Sequence, residues 1–217
     1  MNAATFGVLA ALATVSALSS GCANNERSRD LGNPDVSATT LAQQVCSNCH
    51  GVTGNAISPN FPNLAGQVEP YVVAQLTGFK NHSREDPAGF EYMWGLSRGL
   101  TEAQIKGLAA YYSAQAPSRQ PLEGSTTQIE LGKAVFDNGV PAEGVPACST
   151  CHGPDGHGLG TFPRLAGQHA DYVMKQLVVF QRTDERPEGA VMKVIAHGLT
   201  PQNIGDVAAY VQSLGNQ

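Results

Sequence analysis

The strongest constraint in this chain is that it carries one pattern twice. Cys46-Ser-Asn-Cys49-His50-Gly51 returns as Cys148-Ser-Thr-Cys151-His152-Gly153, 102 positions later. Phe61-Pro-Asn-Leu64-Ala-Gly-Gln67 returns as Phe162-Pro-Arg-Leu165-Ala-Gly-Gln168, now at an offset of 101. Tyr71, Gln75, Leu76 and Phe79 match Tyr172, Gln176, Leu177 and Phe180 at the same offset, and Met93, Gly99-Leu100-Thr101 and Tyr111 match Met192, Gly198-Leu199-Thr200 and Tyr210 at 99. The small drift is absorbed in loops. Two copies of one domain in tandem explain the whole pattern, so the fold must be one that each half, roughly 90 residues, can reach.

The join lies between Ala116 and Thr127, where Pro117, Pro121 and Gly124 punctuate a polar run. The expected organisation is a leader over 1–22, domain 1 over 31–117, a linker over 118–127 and domain 2 over 128–217. Both domains read as all-α. Ile204, Val207, Ala208 and Val211 fall at i, i+3, i+4 and i+7, an apolar stripe on one helix face, and Ile105, Leu108, Ala109 and Tyr112 repeat it in domain 1. Thr101 with Gln104 forms a capping-box start, and Thr200 followed by Pro201 marks the equivalent start in domain 2. Leu41 with Val45, and Leu131 with Val135, suggest short helices leading into the cysteines, and Tyr71–Phe79 and Tyr172–Phe180 suggest a middle helix. No alternating strand pattern stands out.

The chemistry follows from Cys-x-x-Cys-His. Two thiols three positions apart reach the two vinyl groups of one haem, and the adjoining histidine then faces the iron, which is why this pattern reads as covalent haem attachment. Two copies predict two haem c groups, on Cys46/Cys49 and on Cys148/Cys151. A four-cysteine zinc site would leave both histidines unexplained and would span the repeats. A redox dithiol expects a βαβ context that this helical sequence lacks, and an iron–sulfur cluster expects further cysteines nearby. A domain of this size has a marginal core, to which a buried porphyrin adds apolar surface.

An iron held by His50 or His152 has one more axial position to fill. Of the four methionines, Met1 is the initiator and Met174 has Val73 as its counterpart, whereas Met93 and Met192 stand at equivalent places before the last helix. They are the expected axial partners, against the alternative of ordinary core methionines. His82, His157, His169 and His197 have no histidine at the matched position, which argues for surface or loop roles, with His197 the nearest in sequence to Met192. A backbone carbonyl of the Pro62 and Pro163 loops is placed either to accept Nδ1–H from the axial histidine or only to shape a turn.

Phe6 to Leu18 is an apolar run of signal-peptide length, too short to span a bilayer. Cys22, the odd cysteine of five, follows Ser20-Gly21 and leaves two outcomes open: a lipidated N-terminus that tethers the chain to a membrane, or a leader cut near Ala23. A net charge of −5 gives no basic footprint for nucleic acid and directs any charge-steered partner to present a positive patch. Charged residues make up only 14%, so ion-pair networks do not carry the fold.

The paired CxxCHG motifs, the Leu-Ala-Gly-Gln segments, the Tyr-x-x-x-Gln-Leu helices and a Met before Gly-Leu-Thr together resemble the diheme cytochrome c4 family over nearly all of the chain beyond the leader. The resemblance implies two cytochrome c-type domains related by pseudo-twofold symmetry, haems facing each other across the interface, and His50/Met93 and His152/Met192 ligation. It further implies a periplasmic, non-enzymatic carrier passing electrons toward a terminal oxidase. Redox proteins, including a quinol-oxidising complex or a dehydrogenase, are the expected partners. The chain departs from the family at Phe90-Glu-Tyr-Met93-Trp94, where small residues or methionines are usual. Two other functions compete: the electron-accepting subunit of a periplasmic dehydrogenase, and a diheme enzyme, which would need a vacant iron position.

Overall fold

The computed structural model describes residues 29–87, 89–182 and 184–216. The apolar leader, Cys22 and the processing site expected beside it lie outside these residues. Among the described residues no helix is long and apolar enough to cross a membrane.

Domain 1 begins where Ser37 caps α1 (Ala38–Leu41), its hydroxyl accepting the Thr40 N–H at 3.0 Å. The chain widens into a π-helical turn, Ala42–Cys46, and tightens again into α2 (Ser47–His50). Then come α3 (Glu69–Lys80), a second π turn (Gly89–Met93) running into α4 (Trp94–Ser97), and α5 (Glu102–Ser113). Domain 2 follows the same order with α6 (Thr126–Asn138), α7 (Ser149–His152), α8 (Ala170–Arg182), α9 (Ala190–His197) and α10 (Pro201–Ser213). Among the described residues the only extended pairings are two isolated bridges, Val140 with Val145 and Leu159 with Phe162.

The last helices form where their signals stand. Thr101 Oγ1 accepts the Gln104 N–H at 3.1 Å while Gln104 Oε1 accepts the Thr101 N–H at 2.9 Å, and Thr200 makes the same reciprocal pair with Asn203. The predicted stripes are the buried faces: Ile105, Leu108, Ala109 and Tyr112 in domain 1, Ile204, Val207, Ala208 and Val211 in domain 2. Each large aliphatic side chain so buried contributes about 1.5–3 kcal/mol. The apolar stripe of α10 packs on α6, where Val135 and Phe136 face it, and α5 packs on α1.

Both crossings use a small residue for close approach, but on opposite partners. In domain 2 it is Gly132 of α6, where a Cβ would lie 1.9 Å from the Asp206 carbonyl oxygen. In domain 1 it is Gly107 of α5, where a Cβ would lie 2.5 Å from Cβ of Ala38. The connecting segment is tied at both ends: Asn55 Oδ1 accepts the Ser118 N–H at 2.8 Å, and Gln212 Nε2 donates to Pro121 O at 2.6 Å. α6 takes in Thr126 and Thr127, the last two residues of the expected linker.

Gly132→Ala drives a methyl into backbone that cannot retreat, and we expect it to lower the unfolding free energy of the haem-loaded protein by about 1–3 kcal/mol or more in denaturant titration. Gly205→Ala, on α10 with only Gln128 Nε2 at 3.7 Å, is the control. It should raise stability by about 0.5–1 kcal/mol.

Candidate haem centres

In each domain the two cysteines and the histidine lie on one helical stretch that a glycine ends. Gly51 and Gly153 stop α2 and α7 with φ of 74° and 83°. A Cβ on Gly51 would sit 2.4 Å from the Asn55 carbonyl oxygen, so the sixth residue of the motif must be glycine for the loop to fold back. The turn leaves the imidazoles buried, His50 at 8% exposure and His152 at 6%. His50 Nδ1 lies 2.9 Å from Pro62 O, and His152 Nδ1 lies 2.9 Å from Pro163 O. A carbonyl only accepts, so Nδ1 holds the proton in both rings and Nε2 keeps its lone pair. Burial lowers both histidine pKa values, which favours this neutral ring, although the carbonyl contacts act the other way. Phe61 and Phe162 set an edge against these rings at 6.2 and 6.1 Å.

The Phe-Pro-x-Leu-Ala-Gly-Gln loops hold this arrangement residue by residue. After the proline carbonyl, the Leu64 and Ala65 N–H groups both donate to Gly54 O, at 2.7 and 3.0 Å, and Leu165 and Ala166 do the same to Gly156 O at 2.7 and 2.9 Å. The next glycine fastens the loop to the last helix, Gly66 N to Tyr112 O at 3.0 Å and Gly167 N to Val211 O at 2.8 Å. The glutamines cross to the other domain. Gln168 Oε1 accepts the Asn63 N–H at 2.8 Å while its Nε2 donates to Asn63 O at 3.0 Å. Gln67 repeats this on Arg164, at 2.7 Å and 3.0 Å. The reciprocity is that of a pseudo-twofold axis between the halves.

Further contacts join the domains. Arg84 and Arg186, both buried, reach across to Gln176 and Gln75, while Asp86 and Glu188 accept from them within their own domains. His169 donates from Nε2 to Ala56 O at 3.0 Å and is 6% exposed. His169 thus stands in a loop, as one of its two expected placements had it, but the surface placement is overturned because the ring is buried between the domains. Its counterpart is Val68, so this bond has no mate on the other side of the interface. Repeat matching singled out Gln67 and Gln168 without a role, and passed over the arginines because they pair at an offset of 102, the loop drift hiding the match. His157 and His197 are exposed, as expected.

The methionines are held differently. Met192, half-buried within α9, packs against the same apolar cluster as Cys148 and Leu165. Met93, also half-buried, ends a π-helical turn whose neighbours Phe90 and Tyr92 are exposed at 59% and 60%. The Trp94 ring lies 5.0 Å from that of His82.

The donor set fits haem. The four cysteines of the motifs are free of disulfides, and burial pushes Cys46 and Cys148 up to about 11. Gln176 Nε2, beside the two buried guanidiniums, is a buried donor that the protein leaves without an acceptor. A porphyrin carboxylate would supply one.

The cytochrome c family model matches residues 37–114 and again 129–215. The chain is 41% identical to cytochrome c-552 of Acidithiobacillus ferridurans, covering 87% of this chain and 82% of that one. It is 38% identical to cytochrome c4 of Pseudomonas aeruginosa, covering 83% and 89%. The chain belongs to the diheme cytochrome c4 family. The crystal structure of reduced recombinant cytochrome c4 from Pseudomonas stutzeri superposes with a TM-score of 0.74 at 35% identity, over 83% of this chain and 99% of that one. A thiosulfate dehydrogenase electron acceptor of Stutzerimonas stutzeri is 30% identical over 81% of this chain and 82% of its own. As in other cytochromes c4, two haem c groups are covalently bound, at Cys46/Cys49 and at Cys148/Cys151.

Denatured protein should therefore retain about two haem equivalents by pyridine haemochrome absorbance, and a Cys148→Ser/Cys151→Ser double variant about one. Haem extractable by acid acetone would contradict covalent attachment.

Proposed function

We propose that this cytochrome c4 is a periplasmic electron carrier whose irons are closed by His50 with Met93 and by His152 with Met192, and that it passes electrons toward a terminal oxidase. The observation that carries the proposal is the repeated Nδ1–H to proline carbonyl bond, which leaves both Nε2 atoms free for an iron and fixes the ring plane. Bound haem supplies a one-electron Fe(II)/Fe(III) couple. The chain's own residues do the rest. Cys46, Cys49, Cys148 and Cys151 hold the groups covalently, and Leu64 and Leu165 pack on the same apolar clusters as Cys46 and Cys148 and keep water away. The proline carbonyls raise the basicity of the histidines. Thioethers at Met93 and Met192 would favour Fe(II) and leave no vacancy for substrate, which is what separates a carrier from an enzyme.

A second reading is an electron-accepting subunit for a periplasmic dehydrogenase, favoured by the likeness to a thiosulfate dehydrogenase electron acceptor. It uses the same two centres and differs in the donor. Under either reading the net charge of −5 calls for a partner with a positive patch. A lipidated Cys22 or cleavage near Ala23 would each leave both domains in the periplasm, tethered in the first case and soluble in the second.

The oxidised protein should show the weak far-red sulfur-to-iron charge-transfer band. Met93→Ala and Met192→Ala should each remove about half of it and lower one of the two potentials, read by spectroelectrochemical titration. Ready binding of carbon monoxide to the reduced wild-type protein would contradict the ligand assignment and reopen the enzyme reading.

A further inference from the structure

The peptide unit that holds each axial histidine is the same unit that the other domain grips. Pro62 C=O accepts from His50, and the N–H of that very peptide, on Asn63, donates to Gln168 Oε1. Pro163 C=O accepts from His152, and the Arg164 N–H donates to Gln67 Oε1. The two ends of a peptide are conjugated. An N–H engaged as a donor makes its own carbonyl a better acceptor, and hydrogen bonds in series strengthen one another. A better acceptor draws the Nδ1 proton and makes Nε2 a stronger ligand, which favours Fe(III).

The glutamine amides are fixed in the orientation this needs. Gln168 Oε1 also accepts its neighbour's N–H, from His169 at 3.1 Å, and Gln67 Oε1 accepts from Val68 at 2.9 Å. With both Nε2 groups donating to carbonyls, a flipped amide would set donor against donor and acceptor against acceptor.

We propose that Gln67 and Gln168 are positioning residues that tune the iron of the opposite domain, each acting through the proline-carbonyl peptide on the axial histidine there. The proposal rests on the reading of His50 and His152 as iron ligands. It makes the reduction potential of each haem depend on whether the domains are docked. A simple adhesive role for the glutamines makes a different forecast: loosening the interface admits water to both haems, which favours the charged ferric state and lowers both potentials.

The test is a spectroelectrochemical titration of haem-loaded wild type, Gln168→Leu, Gln67→Leu and Gln168→Glu, with each potential assigned by NMR of the haem methyl groups. Gln168→Leu should raise the potential of the haem on Cys46/Cys49 and leave that on Cys148/Cys151 in place, and Gln67→Leu should do the reverse. Gln168→Glu keeps an acceptor for the Asn63 N–H while losing the donor to Asn63 O, and it should leave the first haem at a lower potential than Gln168→Leu does. In the reduced protein the His50 Nδ1–H resonance should move upfield in Gln168→Leu, with that of His152 unmoved. In the leucine variants, a fall in both potentials, an equal shift in both, or a shift confined to the haem of the substituted domain would overturn the proposal. Wild-type spectra without histidine coordination would overturn the ligand reading, before any variant is compared, and this proposal with it.

Discussion

Two peptide bonds, Pro62–Asn63 and Pro163–Arg164, tie the histidines of the haem motifs to the contact between the domains. The carbonyl of each orients a buried imidazole, and the N–H of each is bound by the other domain. Neither group can be left unpaired in such a place, since an unsatisfied buried backbone group costs about 1–3 kcal/mol. Satisfying them therefore fixes at once the loop, the histidine ring and the relation of the halves. The rest of the loop serves the same end: its leucine and alanine amides tie it to Gly54 or Gly156, and its own glycine ties it to the last helix.

The interface is consequently polar and specific. Paired glutamine-to-backbone bonds, His169 on Ala56, and two arginines sharing Gln75 and Gln176 join the halves. Directional bonds of this kind define one docked geometry. They suit a protein whose two redox centres must keep a fixed separation. The arginines stack as well as bond, Arg84 over Phe79 at 4.4 Å and Arg186 over Phe180 at 4.6 Å, so neither guanidinium rests on charge pairing alone.

Much of this was legible in the sequence because the chain repeats. Periodicity located α5 and α10, Thr101 and Thr200 marked their starts, and CxxCHG marked the haem sites. The proline carbonyls stood as one of two readings, and geometry decides for the histidine bond. What repetition could not reveal was whatever breaks it or crosses it. His169 has a valine at the matched position, so symmetry gave it no role beyond surface or loop, whereas its loop buries it against the other domain. Gln67 and Gln168 repeat visibly, yet a side chain that bonds backbone roughly a hundred residues away leaves no periodic or compositional trace. The π turns at Ala42–Cys46 and Gly89–Met93 were equally silent, since five residues are too few for an apolar pattern to show a change of pitch.

The central claim is that two haem domains locked through these peptides act as one electron-carrying unit. Its most direct measurement is the fate of a single electron delivered by pulse radiolysis to the fully oxidised protein. The account predicts that the electron redistributes between the two haems in a first-order step whose rate is independent of protein concentration. Redistribution that scales with protein concentration would show electrons moving only between molecules, and would contradict a docked pair of centres.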